Sequence, residues 1–270
     1  MTITPRKIMQ HPKADSPKYW FAEKGFETLF FNALSSTFPE GERFFIQSVR
    51  KYAGQISDAE LRANVERFVS QEGQHSQQHE RHLELLADQG FGLLEDLNRW
   101  ERTLLRWLVA KMPRFALAVT LTIEHVTAIF ASALLADQKR FCEPMHDDYR
   151  LLWHWHAVEE IEHKAVAFDV YQQTGGEYGL RLLAAIEVAV FFPAVLFFRH
   201  VLLLAKDGLL LDLGEWRRGS AFLLGRNGLL RVIAGEYGRC LHRSFHPLKT
   251  DDSHHIEEFN RLYAAQLQIL

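Results

Sequence analysis

The chain has 270 residues, 47% of them hydrophobic, which is enough to bury a sizeable core. Its 31 Lys and Arg residues against 34 Asp and Glu give a formal net charge of −3 without a long basic run, which argues against a nucleic-acid partner. The two cysteines, Cys142 and Cys240, lie far apart and outside any CxxC pattern, so neither a disulfide framework nor a thiolate zinc site is indicated.

The first 20 residues are polar and contain proline, which predicts a lead-in strap ahead of the helices. They lack the apolar run of a secretory signal, so we expect a reduced, cytoplasmic protein. Beyond the strap, apolar residues recur at helical spacing and alternating strand patterns are scarce. This periodicity predicts an all-α fold.

The first predicted helix covers FETLFFNALS, and a second follows the predicted break at TFPEGE and runs through RFFIQSVRKYA to Gly54. A third begins after Asp58, a typical N-cap residue, and continues through Glu72 and His75 to about Leu86. After a break at DQGFG, two more helices are expected over LLEDLNRWERTLLRWLVAKM and FALAVTLTIEHVTAIFASALLAD.

A loop containing Pro144 precedes the next predicted helix, which runs from about His146 to Gln173 and ends at Gly175 and Gly176. Neither an internal repeat nor a polar linker divides the sequence, so we predict one domain over residues 1–270. Its parts are expected to be the strap (1–20), a metal-binding helical bundle (24–175) and accessory apolar and C-terminal helices (178–270).

The segment 182–198, LLAAIEVAVFFPAVLFF, carries a single charge, Glu187. Its 17 residues lie at the lower edge of the roughly 17–25 needed to cross a bilayer. Since Pro193 is expected to kink or break a helix there, we favour an added helix or helical hairpin beside the bundle. Its free side is predicted to form a homodimer face or a peripheral membrane contact.

Two stretches share a Glu three residues before a His: Glu72 with His75, and Glu160 with His163. On a helix, residues i and i+3 project from nearly the same face, so each pair can offer a carboxylate and an imidazole to one point. Oxygen and nitrogen donors without thiolate suit iron, manganese or zinc. A single such pair is weak evidence, because a solvated helix face produces the same pattern.

A four-helix dimetal site also needs one Glu from each of two further helices. Glu124 lies in a strongly apolar helix where an unpaired charge would be costly, and Glu42 is the other candidate. The mean residue number of Glu42 and Glu72 is 57, inside the turn GQISD, and that of Glu124 and Glu160 is 142, inside DQKRFCEPMHD. Antiparallel hairpins would therefore set each pair side by side. Ordinary surface charge and a one-metal site remain the alternatives.

Other titratable residues near these pairs have competing explanations. His79 and His82 follow in the polar stretch SQQHERH, which favours a solvated stripe. His125 points about 100° away from Glu124 around the helix.

Within the second motif, His154 and His156 adjoin Trp153 and Trp155, so an aromatic contact or a supporting role is favoured over ligation. Glu159 and Glu162 rival Glu160 as ligands, but only Glu160 also forms the i, i+3 pair with His163.

The chain resembles the bacterial family labelled predicted metal-dependent hydrolases, which is itself similar to the ferritin-like superfamily. The resemblance rests on ALSSTFPEGERFFIQSVR, FVSQEGQHSQQH, WHAVEEIEHKAVAFDVY and FHPLKTDD, the last near residues 245–252, and covers most of the chain. Gly73 departs from the pattern and weakens its helix by roughly 1 kcal/mol relative to Ala. The resemblance implies a ferritin-like four-helix bundle with additional N- and C-terminal helices. It assigns metal-ligand status to Glu42, Glu72, His75, Glu124, Glu160 and His163.

The family label and the donor set imply different reactions. A hydrolase needs metals that generate hydroxide at a polarised ester, amide or phosphoryl group, and zinc or manganese suffices. Sites with four Glu and two His in ferritin-like bundles imply, by resemblance, di-iron or manganese–iron centres that activate O₂.

From the donor set we predict two metal ions, with iron favoured over Mn/Fe, Mn or Zn. The predicted function is an oxidase or oxygenase that uses O₂ on an unidentified, apolar organic substrate. The alternatives are a dinuclear metal-dependent hydrolase and a non-enzymatic iron-binding or membrane-associated protein.

Overall fold

The computed structural model describes residues 2–270, which fold as an all-α bundle with one short strand pair. The elements in chain order are β1 (Arg6–Ile8), α1 (Gly25–Arg50), α2 (Ala59–Leu86), α3 (Leu93–Lys111), α4 (Pro113–Ala136), α5 (Gln138–Phe141), α6 (Asp147–His163), α7 (Val166–Gln173), α8 (Tyr178–Lys206), α9 (Leu213–Leu224), α10 (Leu229–Tyr237), α11 (Ser253–Tyr263) and β2 (Leu267–Ile269). A π turn joins α2 to α3, short 3₁₀ turns follow α1, α10 and α11, and Pro247–Lys249 forms a further 3₁₀ turn before α11.

Helix α1 is continuous, so the predicted break at TFPEGE is wrong. Pro39 lies inside the helix, where it cannot donate a backbone hydrogen bond and costs roughly 3 kcal/mol in an exposed helix. Here the surrounding turn is buried, and the Arg199 guanidinium from α8 donates to the carbonyl and hydroxyl oxygens of Ser36 at 3.1 and 2.9 Å. Tertiary packing therefore holds the proline turn in helical form.

Helix α2 begins and ends where the sequence predicts. The Asp58 carboxylate accepts hydrogen bonds from the backbone N–H groups of Glu60 and Leu61, which caps the helix. At the other end, Gly90 has a φ of +97°, a backbone conformation that glycine adopts readily. The break at DQGFG thus has a local cause.

The predicted helix from His146 to Gln173 is two helices, α6 and α7, separated at Lys164 and Ala165. Lys164 is buried at this break, and its ammonium donates to the Thr250 carbonyl at 2.8 Å and to the Asp252 carboxylate at 2.6 Å. The interruption follows His163 directly, so the Glu160 and His163 pair occupies the last turn of α6.

Four helices, α1, α2, α4 and α6, bring the motif residues together between two apolar clusters. One cluster includes Phe31 and Trp153, and the other includes Phe44 and Phe68. Along α1 the first cluster uses residues up to Phe38 and the second starts at Phe44, so Glu42 lies at the junction of the two. The charged motifs therefore form an interior polar layer.

The N-terminal strap contains a strand, which the sequence did not predict. Strand β1 pairs antiparallel with β2, with Arg6 opposite Ile269 and Ile8 opposite Leu267. This pairing joins the two ends of the described chain and holds Arg6 in the interior, where it is 3% exposed.

Helix α8 packs against α1 and α4 as the predicted added helix, but it continues unbroken through Pro193. Both α4 and α8 are long and apolar enough to cross a membrane by composition, a test that core helices also pass. The most apolar 18-residue stretch of α4 is 67% buried, whereas that of α8 is only 33% buried. Core packing accounts for α4, while α8 leaves apolar side chains at the surface.

Candidate metal centre

The six predicted ligands are buried on four helices that pack together, and none is more than 2% exposed. Helix α1 supplies one carboxylate, α2 a Glu and a His, α4 one carboxylate, and α6 a Glu and a His. In that order they are Glu42, Glu72, His75, Glu124, Glu160 and His163.

Glu72 and Glu160 each face both imidazoles of the predicted set. His163 Nε2 lies 3.1 Å from Glu72 Oε1 and 3.8 Å from Glu160 Oε1. His75 Nδ1 lies 3.6 Å from Glu160 Oε1 and 3.9 Å from Glu72 Oε2. One donor atom from each of these four side chains lies within 4.8 Å of the others. The two Glu residues thus occupy central positions between the two His residues.

The remaining two carboxylates lie on different sides of this group. Glu124 Oε2 accepts from His163 Nδ1 at 2.9 Å. Glu42 is grouped instead with His79 and His156, with one donor atom from each within 4.8 Å of the others. The structure therefore brings all six predicted residues into one interior layer but places Glu42 beside two histidines that the prediction left out.

Unpartnered polar atoms test whether this layer suits a cation. Each of the six predicted side chains carries at least one buried nitrogen or oxygen that has no hydrogen-bond partner among residues 2–270. For Glu42 and Glu72 this holds for both carboxylate oxygens. Buried polar groups are ordinarily paired, and an unpaired one costs about 1–3 kcal/mol. Metal ions bound by these atoms would satisfy them, so the residues present fit a metal centre.

Comparison with protein families matches residues 4–251 to the predicted metal-dependent hydrolases. The chain belongs to that family. Comparisons with curated proteins and with solved structures gave no significant match. Family membership and the buried cluster together establish a metal-dependent protein with an interior His and Glu metal-binding site.

Electrostatics explain why the carboxylates of this family member need a counter-charge. Burial, with the charge of Glu160 adding to it, raises the pKa of Glu42 well above its usual range. Burial, and secondly the charge of Glu124, also raise the pKa of Glu72 well above its usual range. For Glu124 burial is again the largest cause and raises the pKa to about 7, although the His163 charge opposes it. Without metal, these groups hold protons that bound cations would displace.

His163 and Glu160 behave as an ion pair within the cluster. Burial lowers the pKa of His163, but the charges of Glu124 and Glu160 outweigh it and raise the pKa to about 9. Burial alone would raise the pKa of Glu160, yet the His163 charge and a hydrogen bond from His156 bring it below its usual value. Protons are therefore shared unequally among the donors of the metal-free site.

The interpretation of His79 and His82 as a solvated stripe is wrong. Both are buried, at 0% and 1% exposure, because the polar face of α2 turns inward onto α1 and α6. Ser35 Oγ lies 2.7 Å from Nδ1 of each. Their spacing from His75, four and seven residues, was the signal that they share its face.

His156 combines the aromatic contact that the sequence predicted with a polar one. Its ring lies 4.6 Å from that of Phe38, and its Nε2 lies 3.0 Å from Glu160 Oε1. By contrast, His154 packs on Tyr263 at 5.4 Å between ring centres, a purely aromatic contact as predicted. His125 packs on Phe245 at 4.6 Å, away from the cluster.

Glu159 and Glu162 turn toward the strap rather than into the cluster. Glu159 Oε2 accepts from His75 Nε2 at 3.0 Å, which leaves Nδ1 of that ring facing the other donors. The Arg6 guanidinium pairs with Glu162 at 2.7 Å and with Glu159 at 3.4 Å. Histidines that bind metals typically donate their second N–H to a carboxylate in this way. No local sequence signal points to Arg6.

Replacing Arg6 with Ala is expected to lower the free energy of unfolding by about 3 kcal/mol or more, because two buried carboxylates lose their cation. Urea denaturation followed by circular dichroism measures the change. Lys13→Ala, at an exposed position of the same strap, is the matched control and should remain within about 0.5 kcal/mol of the wild type. Equal stabilities for the two variants would contradict the structural role given to Arg6.

Proposed function

We propose that the protein is a dinuclear metal-dependent hydrolase that acts on an organic substrate with an apolar chain. Glu160 and His156 support this proposal by their position, because both line two largely apolar cavities of about 360 and 350 Å³. A substrate in either cavity would contact the donor cluster. The family's description as metal-dependent hydrolases supports hydrolysis as the reaction.

The six predicted residues are the ligands in this proposal. Glu72 and Glu160 would hold metal together with His75 and His163, since each of the two carboxylates faces both imidazoles, and Glu42 and Glu124 would supply the remaining donors. When bound, the ions would polarise a carbonyl or phosphoryl oxygen and activate water or, if they are iron, activate O₂.

The apolar walls of the cavities position the substrate and keep bulk water from it. Phe130 and Trp153 line the first cavity, Phe44 and Leu105 line the second, and Phe192 lines both. Burying a hydrocarbon chain against these rings contributes roughly 0.8 kcal/mol per CH₂ group. Affinity for the substrate is therefore expected to grow with chain length.

A second candidate function is O₂-dependent oxidation by a di-iron centre. It is favoured by the donor pattern itself, a Glu from each of two helices and Glu-x-x-His from each of two others, which characterises di-iron and di-manganese carboxylate proteins. An O₂-dependent reaction would use the same cavities for an apolar substrate.

Turnover with and without O₂ distinguishes the two functions. Purified metal-loaded protein is assayed with p-nitrophenyl acetate, octanoate and dodecanoate in an anaerobic chamber, with Glu160→Gln as the inactive control. We expect hydrolysis without O₂ that favours the longer chains, is lost with a chelator and returns with added metal. Hydrolysis equal in Glu160→Gln would overturn the proposal, and O₂ uptake by the reduced iron-loaded protein without any ester hydrolysis would establish the second candidate.

We also propose that the substrate enters from a lipid surface. The exposed apolar side chains of α8 and α3 lie around both cavities, since Phe197 lines the first and Leu104 and Phe191 line the second, each at least 59% exposed. A second copy covering this face would close both entrances, whereas a bilayer would supply apolar molecules to them. Exposed aromatic and basic side chains on α3 suit a membrane–water interface. They are Trp100, Trp107, Arg106 and Lys111.

Replacing both Phe197 and Phe198 with Ser is expected to weaken sedimentation with vesicles of phosphatidylcholine and phosphatidylglycerol by about tenfold, because two exposed aromatic rings no longer enter the lipid. Metal content should stay unchanged. Met9→Ser, an exposed apolar position on the strap, is the control and should bind vesicles like the wild type. A changed oligomeric state without vesicle binding would favour a homodimer face, and loss of metal would show that the segment is ordinary core.

A further inference from the structure

The ring nitrogen nearest to the central carboxylate Glu160 belongs to a residue outside the six predicted ligands. His156 Nε2 lies 3.0 Å from Glu160 Oε1, whereas His75 Nδ1 and His163 Nε2 lie 3.6 and 3.8 Å from the same atom. His156 is four residues before Glu160 on α6, so both side chains project from one face of the helix. It is 4% exposed.

His156 also lies beside Glu42, the predicted ligand that lies outside the group formed by Glu72, His75, Glu160 and His163. Glu42, His79 and His156 each offer a donor atom within 4.8 Å of the others, and neither oxygen of Glu42 has a hydrogen-bond partner in the described chain. The His156 ring stacks on that of His75, with centroids 4.3 Å apart and planes 13° apart. The unpartnered carboxylate of Glu42 thus lies beside His156, whose ring stacks on that of His75.

A chain of hydrogen bonds fixes which nitrogen of His156 faces the carboxylates. His156 Nδ1 lies 2.7 Å from His79 Nε2, His79 Nδ1 lies 2.7 Å from Ser35 Oγ, and Ser35 Oγ lies 2.7 Å from His82 Nδ1. These distances fit either direction of donation along the chain. When His156 Nδ1–H donates to His79, His79 Nδ1–H to Ser35 and the Ser35 hydroxyl to His82, the Nε2 lone pair of His156 is free to bind a metal ion. In the reverse direction, which the ring adopts without metal, His156 Nε2–H donates to the Glu160 carboxylate.

We infer that His156 is a seventh ligand, which binds through Nε2 the metal ion on the Glu42 side. His79, Ser35 and His82 are then positioning residues that hold its ring, as second hydrogen-bond partners of metal-binding histidines do. The inference rests on the dinuclear site proposed above. It makes the two metal positions unequal, one with the imidazoles of His75 and His156 and the other with that of His163 alone.

Anaerobic titration with Co²⁺, followed by visible absorption and calorimetry, tests the assignment. The wild type should bind two Co²⁺ ions per chain. His156→Ala should bind one of them at least about 10-fold more weakly, keep the other within about twofold, and regain affinity when free imidazole is added. His154→Ala, a buried histidine two residues earlier on α6 that packs on Tyr263, should bind both ions like the wild type.

The titration tests the ligand role of His156 separately from the existence of the dinuclear site. A wild-type chain that fails to bind a pair of Co²⁺ ions would overturn the dinuclear site itself. Two ions bound with unchanged affinity and spectrum in His156→Ala would overturn only the ligand role of His156. If that variant fails to fold, proton NMR of the Co²⁺-loaded wild type replaces it, because each histidine ligand gives one hyperfine-shifted imidazole N–H resonance. Three such resonances support a third histidine ligand, and two exclude it.

Discussion

Replacing Glu160 with Gln is expected to abolish paired metal binding, with an affinity loss of about 100-fold or more. One oxygen of Glu160 lies within 3.8 Å of ring nitrogens from His75, His156 and His163, so the loss of its charge affects the whole cluster. The effect should exceed the 10- to 100-fold cost of removing a residue that only supports a ligand. Metal analysis after gel filtration measures the bound ions per chain.

Glu66→Gln provides the matched control for this substitution. Glu66 is exposed on α2, so the same chemical change there should leave metal content at the wild-type value. If Glu160→Gln keeps both ions, or if Glu66→Gln loses them equally, Glu160 is not the central ligand that the geometry indicates.

Removing the metal at neutral pH is expected to lower the melting temperature by roughly 8–16 °C. A ligand bound only by the folded state at about 1,000 times its Kd contributes about 4 kcal/mol. In a chain of this size, each kcal/mol shifts the melting temperature by about 2–4 °C. Differential scanning calorimetry before and after chelation provides the comparison, and restoring the metal should restore the transition. A melting temperature unaffected by verified metal removal would contradict the buried site.

The metal-free protein should also lose stability as the pH rises from 7 to 9. Folding raises the pKa of Glu159 to about 8 and that of His163 to about 9, so the folded state holds more protons than the unfolded state in this window. The stabilising charge of His163 is fully present below its unfolded pKa of about 6.5 and is lost as the pH passes 9. Ionising Glu159 becomes increasingly costly across the same interval.

Histidines whose pKa is lowered by folding do not oppose this loss of stability between pH 7 and 9. Burial lowers the pKa of His75 and of His79, so their effect on stability changes only below about pH 6.5. Bound cations replace the protons of the cluster, so the metal-loaded protein should show a weaker decline. Melting temperatures of the two forms at matched pH values measure the difference, and a metal-free protein that gains stability toward pH 9 would contradict the assignment.

Much of the site was predictable because helical spacing and short turns are local properties of the sequence. The i, i+3 pairs share a helix face by geometry, and the turn GQISD fixes Glu42 opposite Glu72 once both helices form. Pro39 misled the prediction because the burial that holds its turn depends on Arg199, which lies 160 residues further along the chain.

Helical spacing places His79 on the face of His75 and His156 on the face of Glu160, but it does not show that these histidines are buried, and it gives no indication of Arg6. A polar stretch such as SQQHERH has the composition of a solvated face, and only the packing of α2 against α1 and α6 turns its histidines inward. Arg6 lies more than 150 residues from the carboxylates that it pairs with, so no periodicity indicates the contact. Helical spacing thus predicted which helices carry the six candidate ligands, whereas the packing of those helices determines which other side chains lie beside them.

Anomalous diffraction from crystals of metal-replete wild-type protein locates the bound metal ions relative to the six predicted ligands. Two anomalous peaks about 3.5–4 Å apart, enclosed by side chains from α1, α2, α4 and α6, are the predicted result. A single peak, or metal bound only at the molecular surface while Glu72 and Glu160 contact no ion, would contradict the dinuclear centre.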